Sequence, residues 1–249
     1  MSDKEPTLET WDSLWNRSDR SLAERRLELE RQSTRWCKFR DYLYEKYGNR
    51  QLQSVELGSG EGDFSILMSE LGHKVTLVDF SPTALERAKA RYDYLGIQAE
   101  YVQADLFEFA KEYSGKFDVS ASLGLAEHFA GERRNQIIEA HRQVLNEDGI
   151  TFISVPHAWC VPYRLRKAYL QLRGWWRYGY TDPFSSPEIR RVAKRVGFES
   201  CRTYNTGFAA SVDACLLQPF TGKRIGWKDG PRWANQIGGW DVNLIAKAA

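Results

Sequence analysis

Val55-Glu56-Leu57-Gly58-Ser59-Gly60-Glu61-Gly62-Asp63 is the stretch on which the reading of this chain turns. An apolar strand, Leu52 to Leu57, runs into three glycines at alternate positions, and a helical run follows from Phe64. Three glycines so close together remove the Cβ atoms that would hold a ligand off the backbone. They also leave main-chain N–H groups free near a helix N-terminus. Phosphate-cradling loops avoid carboxylates or carry a Lys. This one holds Glu56, Glu61 and Asp63 and no base, so it is expected to suit a ligand bearing positive charge, with Glu61 itself exposed to solvent. Alone, Gly-x-Gly-x-Gly also describes a plain strand-to-helix turn, and the segments around it must decide.

Outward from the loop, strands and helices alternate. Lys74 to Asp79 reads as strand, and Ser81-Pro82 opens a helix with Ser81 as N-cap and Pro82 at its first position, ending near Gly96. Ala99 to Ala104 and Phe117 to Ser122 are strands, Arg133 to Leu145 a helix, and Gly149 to Val155 a strand. After two irregular stretches, about 157–186 and 207–238, the pattern resumes. A helix runs from Ser186 to Val196, a strand from Phe198 to Tyr204, and a closing strand from Trp240 to Ala246. Such alternation implies a parallel sheet with right-handed crossovers. The expected architecture is α/β: a Rossmann-like, seven-stranded, mostly parallel sheet with helices on both faces. Residues 1–50 form a charged helical cap, and residues 51–249 form the main domain with both insertions in its C-terminal half.

Composition narrows the class. A chain of 249 residues with 42% hydrophobic and 13% aromatic content is globular, with length enough for one large core. No run of about 18 apolar residues exists, so no membrane span is expected. The Met1-Ser2-Asp3-Lys4-Glu5-Pro6 start lacks a secretory layout, and a cytoplasmic location is expected. Cys37, Cys160, Cys201 and Cys215 lie far apart with no His at ligand spacing, so neither a metal site nor a disulfide framework is expected. A net charge of +2 does not by itself call for nucleic acid.

In an open parallel sheet the ligand lies across the C-terminal ends of the strands. The second strand ends in Asp79, placed to accept from a ribose diol or to cap the strand end. The third ends in Ala104-Asp105-Leu106, where a carboxylate can accept from an adenine amino group. The fourth ends in Ser122-Leu123-Gly124-Leu125-Ala126-Glu127-His128-Phe129, with two ionisable side chains.

Together these segments resemble the class I S-adenosylmethionine-dependent methyltransferases. Val55 to Gly62 is similar to that family's first motif, Val78-Asp79-Phe80-Ser81 to its second-strand acid, and Gln103-Ala104-Asp105-Leu106 to its third. Phe117-Asp118-Val119 through Glu127-His128-Phe129 resembles its fourth motif, and Leu145-Asn146-Glu147-Asp148-Gly149 its next turn, with Asp148-Gly149 in place of the usual Gly pair. The resemblance covers roughly residues 52–200. It implies S-adenosylmethionine as cofactor, a sulfonium cation in place of a pyrophosphate. Its binding residues would be Glu56, Gly58, Ser59, Gly60, Gly62, Asp63, Asp79, Phe80, Ser81, Asp105, Leu106 and Leu123, with Glu56 and Asp63 near the amino-acid end.

His128 is the first candidate for a general base, the other reading being that it packs against the cofactor or caps the next helix. His157, after the fifth strand, is the second candidate. His73 and His141 are expected at the surface. Trp11 and Trp15 share one helix face, and with Trp159 and Tyr163 they are candidates for acceptor binding. The expected acceptor is a small molecule with an O, N or C nucleophile. The basic aromatic segment 159–180 raises RNA or protein as the alternative, although the fourth strand lacks the Asn/Asp-Pro-Pro-Tyr/Phe signature of base methylation. A nicotinamide dehydrogenase shares the layout but not the glycine spacing.

Overall fold

The computed structural model describes residues 5–17, 22–218 and 232–248. Residues 219–231 of the second expected insertion lie outside the described residues.

Seven strands form one sheet among the described residues, in the order β3-β2-β1-β4-β5-β7-β6. They are β1 (Gln53–Leu57), β2 (Lys74–Asp79), β3 (Glu100–Gln103), β4 (Phe117–Leu123), β5 (Leu145–Pro156), β6 (Phe198–Thr206) and β7 (Asp241–Ala248). The first five run parallel, and β7 inserts antiparallel between β5 and β6. The mostly parallel, Rossmann-like sheet expected from the alternation is the observed one. Register brings the strand ends together: Leu57 lies opposite Val78, Asp79 opposite Gln103, and Leu123 opposite Ser154. The strand order reverses between β1 and β4, the place where such sheets open a crevice.

Side-chain alternation along β1 sorts the two faces. Val55 and Leu57 pack with Phe109 and Ala140 of α6 (Leu106–Glu112) and α7 (Arg133–Gln143). The opposite face carries α2 (Ala23–Arg31), α3 (Thr34–Tyr47), α4 (Asp63–Glu70) and α5 (Pro82–Leu95). There Phe152 stacks on Phe39 at 4.6 Å and on Phe64 at 5.5 Å. Such pairs add roughly 0.5–1.5 kcal/mol each beyond their area. A second core, under α7 and α9 (Ser186–Arg195), buries Ile137, Ile189 and Leu244. Ser185 opens α9 with a full capping box to Glu188. No helix among the described residues is long and apolar enough to cross a membrane.

The segment after Asp105 forms the two-turn helix α6, on which the sequence pattern is silent. Two local expectations are overturned. His141 is fully buried, its Nε2 2.9 Å from Ser122 Oγ and its Nδ1 3.2 Å from Ser120 Oγ. Burial drives its pKa down to about 3. Glu61 is buried as well, because Arg26 and Arg87 close on it from α2 and α5.

Glu56 sits on the α4 face of β1 and accepts from both the backbone N–H and the hydroxyl of Ser65. Burial pushes its pKa up to about 8 from 4.5. Between those values the unfolded chain ionises Glu56 while the fold keeps it protonated. Folding stability should therefore fall as pH rises through that window, by up to about 1.4 kcal/mol per pH unit from this group alone. Glu56→Gln keeps both acceptor contacts and cannot titrate. Denaturant unfolding should show the wild type losing ground to Glu56→Gln from pH 4.5 to 8; parallel profiles would refute the burial argument.

Candidate functional site

The strand ends open into a cleft of 840 Å³, near the upper end for ligand pockets. Its floor is the β1–α4 loop. Gly58 (φ +63°) and Gly60 (φ +53°) are in the left-handed region. A Cβ on Gly58 would stand 2.5 Å from the Leu125 side chain, and one on Gly60 2.6 Å from the ring of Trp15. Only glycine lets the loop and its cover approach this closely.

Asp79, at the tip of β2, organises the floor. One carboxylate oxygen accepts from Gly60 N–H and the other from Ser81 N–H, each at 2.9 Å. Burial pushes its pKa up, and these bonds oppose the rise. Each oxygen retains a lone pair for a further donor. Asp105, at the end of β3, caps α6 through Phe107 N–H and Glu108 N–H and lines the same cleft. Two carboxylates flanking a Cβ-free backbone fit a molecule that presents a diol and an exocyclic amine.

The roof is the N-terminal helix α1 (Leu8–Asn16). Asp12 accepts from Ser81 Oγ at 2.5 Å. Glu5 accepts from Ala130 N–H at 3.1 Å and pairs with Arg133 at 3.0 Å. Trp15 covers Gly60, and Trp11 meets the His128 ring edge-on at 4.8 Å. The two tryptophans one helical turn apart therefore both face the cleft.

The loop after β4 forms a turn of 3₁₀ helix, Ala126–His128. His128 Nδ1 lies 2.8 Å from the Tyr180 carbonyl, which can only accept. Nδ1 therefore carries the proton and Nε2 the lone pair. Burial lowers this His to about 4. Beside it, Glu127 is buried and lines the cleft, its Oε1 3.8 Å from His128 Nε2 and its Oε2 without a hydrogen-bond partner among the described residues. Burial raises its pKa to about 8. Sequence reasoning noted Glu127 only as one of two ionisable residues in the loop. It shares the cleft lining with Trp11, Lys167 and Thr181, which are distant in the chain.

The far end of the cleft is built by α8 (Val161–Leu172) and the segment after it. Tyr163, Arg166, Lys167 and Leu170, at spacings of three and four, turn one face inward.

Of the candidates named from the sequence, Gly58, Ser59, Gly60, Asp79, Phe80, Asp105, Leu106, Leu123, His128, Trp11, Trp15 and Tyr163 line this cleft. The others do not. Glu56 is committed to Ser65, Asp63 pairs with Arg91, and Gly62 backs onto Leu77 and Tyr92. Ser81 is buried beneath Asp12, acting as the α5 cap. His157 is completely buried behind the β5 end, so it reaches no reacting group, and Trp159 is half exposed away from the cleft. Glu61 and Asp63 thus point to arginines behind the loop, and Glu56 to Ser65. The expectation that Glu56 and Asp63 lie near a cationic end of the ligand is corrected: the carboxyl groups that line the cleft are those of Glu5, Asp79, Asp105 and Glu127.

Residues 55–149 match the family model described as a methyltransferase domain. A ubiquinone biosynthesis O-methyltransferase of Escherichia coli O127:H6 (strain E2348/69 / EPEC) is 30% identical over 114 residues, 45% of this chain and 47% of that protein. The chain spans about half the length of the curated relatives it matches. Among solved structures, an S-adenosylmethionine-dependent methyltransferase of Thermotoga maritima, described as a possible histamine N-methyltransferase, has a TM-score of 0.62 at 15% identity. The match covers 98% of this chain and 100% of that one. The 1,6-didemethyltoxoflavin-N1-methyltransferase of Burkholderia thailandensis has a TM-score of 0.58 at 14% identity, covering 97% and 88%.

Proposed function

We propose that the chain is a class I S-adenosylmethionine-dependent methyltransferase that moves a methyl group to an oxygen, nitrogen or carbon of a small molecule, a reading supported by the methyltransferase-domain match over residues 55–149 and by the shared fold. The observation that carries the reading is the roofed cleft itself. It joins a glycine floor flanked by Asp79 and Asp105 to an aromatic chamber under α8, with the Glu127–His128 turn between them. S-adenosylmethionine, when bound, supplies a methyl already activated by a sulfonium.

What remains for the chain is alignment, exclusion of water and management of one proton. Gly58 to Gly60, Asp79 and Asp105 hold the donor end. Trp11 and Trp15 close it from α1, and holding two reactants in line contributes several kcal/mol. Glu127 Oε2, buried and unpartnered, takes the proton that the acceptor loses. A pKa of about 8 makes it a stronger base near neutrality than His128, which sits near 4. His128, tethered to the Tyr180 carbonyl, orients the turn and offers Nε2 as an acceptor.

The inward face of α8 supports a small acceptor over RNA or protein. Arg166 and Lys167, counted from the sequence as part of a basic stretch, line the enclosed chamber. On the outward side Val161, Leu165, Tyr169 and Leu172 are apolar and flank the exposed Arg164.

Asp79→Ala should weaken S-adenosylhomocysteine binding by roughly 10–100-fold in calorimetry; unchanged affinity would refute the ribose role. Glu127 is the active base only when ionised, so turnover should climb about tenfold per pH unit below 8 and level above it. Glu127→Gln should lose that rise together with most of the turnover. A wild-type rate flat from roughly pH 6 to 9 would exclude the base role.

A further inference from the structure

We infer that the acceptor is a planar aromatic molecule carrying a carboxylate, with Arg177 as its principal anchor. This deepens the methyl-transfer reading above and rests on it.

The cleft is divided by charge. At the donor end the ionisable groups are Asp79 and Asp105, and the Glu5–Arg133 pair cancels itself. Beyond the Glu127–His128 turn the lining turns cationic. Arg166 and Lys167 project from the inner face of α8, and Arg177 stands at the rim. The carboxyl groups acting on Lys167 are Asp182, exposed and paired with Arg134, and Glu127, whose pKa burial raises to about 8.

Two of these three cations are partly engaged by neutral oxygens. Arg166 Nη1 donates to the Ala214 carbonyl at 2.8 Å, which leaves the rest of its fork open, and Lys167 donates to the Thr181 carbonyl. Neither contact neutralises charge. Arg177 makes no hydrogen bond or ion pair among the described residues. Arg177 is exposed at the mouth of the cleft and available to an incoming anion, whereas a cation turned into the partly desolvated interior, as Lys167 is, is costly unless something anionic joins it. Lys167 shows this strain: burial lowers its pKa, and its ammonium lies 5.5 Å from the centre of the Trp176 ring.

The walls set the shape of the body. Tyr163 and Trp176 meet edge-on at 6.4 Å, and Leu170 closes the apolar side. The two rings pack against each other as one aromatic wall, and a flat ring can stack offset or edge-on against the side of it that lines the cleft. A guanidinium fork pairs with a carboxylate in two parallel bonds, which also fixes orientation.

The test uses the whole protein saturated with S-adenosylhomocysteine, whose binding is measured first. Calorimetric titrations then compare 2-naphthoate, the isosteric 2-naphthamide and 2-naphthylmethylammonium. We expect 2-naphthoate to bind at least tenfold tighter than the amide, with the preference weakening as salt is raised. Arg177→Ala should bring 2-naphthoate down to the affinity of the amide and leave the amide unchanged. Arg177→Glu should turn the preference toward the ammonium. Arg177 is exposed at the rim, so both variants are expected to fold. Equal or tighter binding of the amide, a preference that survives Arg177→Ala, or no saturable binding of 2-naphthoate at about 1 mM would overturn the assignment. With S-adenosylhomocysteine bound normally, those failures would sink the acceptor class alone. Failure of S-adenosylhomocysteine itself to bind would instead sink the methyl-transfer reading beneath it.

Discussion

One buried carboxylate holds the site in register. Asp79 ends β2 and accepts from Gly60 N–H in one loop and Ser81 N–H in the next. Ser81 in turn caps α5 through Ala84 N–H and donates to Asp12 of α1. The floor of the cleft, the start of a core helix and the roof are therefore tied through a single acidic group. Its burial is unfavourable, and the backbone donors offset that cost. Loss of the acceptor would leave buried N–H groups unpaired, at roughly 1–3 kcal/mol each.

The rest of the charge follows from this arrangement. Arg26, Arg87 and Arg91 take up Glu61 and Asp63 behind the loop, and Ser65 takes up Glu56. Those contacts stiffen the strand-to-helix turn and leave the glycine backbone facing the cleft with no side chain of its own. The cleft then carries carboxylates at one end and cations at the other, with Glu127 at the junction. A proton acceptor placed there is shielded from water by Trp11 and by the segment around Tyr180.

Much of this was legible in the sequence, because the signals are local. Alternating apolar runs and glycine breaks gave the parallel strands. The Ser81-Pro82 and Ser186-Pro187-Glu188 helix starts act within a few residues of themselves. The acids at strand ends inherit their positions from register, so Asp79 and Asp105 could be placed without coordinates. Direction was harder. Glu56 and Asp63 are expected to face the ligand and Glu61 the solvent, yet each is held by a partner 9 to 37 residues distant. His141 looked peripheral on a polar helix, but Ser120 and Ser122 on β4 draw it inward. Glu127 lines the cleft together with residues of α1 and α8, elements whose packing no local pattern reports. His157 sits at the expected strand end and is sealed there by Trp240 and Phe184.

The central claim is that the Asp79-centred floor is the donor site and the Glu127 turn the place of reaction. A crystal structure with S-adenosylhomocysteine bound tests it most directly. The account predicts the nucleoside along Gly58 to Gly60, ribose hydroxyls on Asp79, the adenine beside Asp105, and the sulfur directed toward Glu127 and the chamber under α8. A nucleoside bound elsewhere, or a sulfur turned away from Glu127, would contradict it.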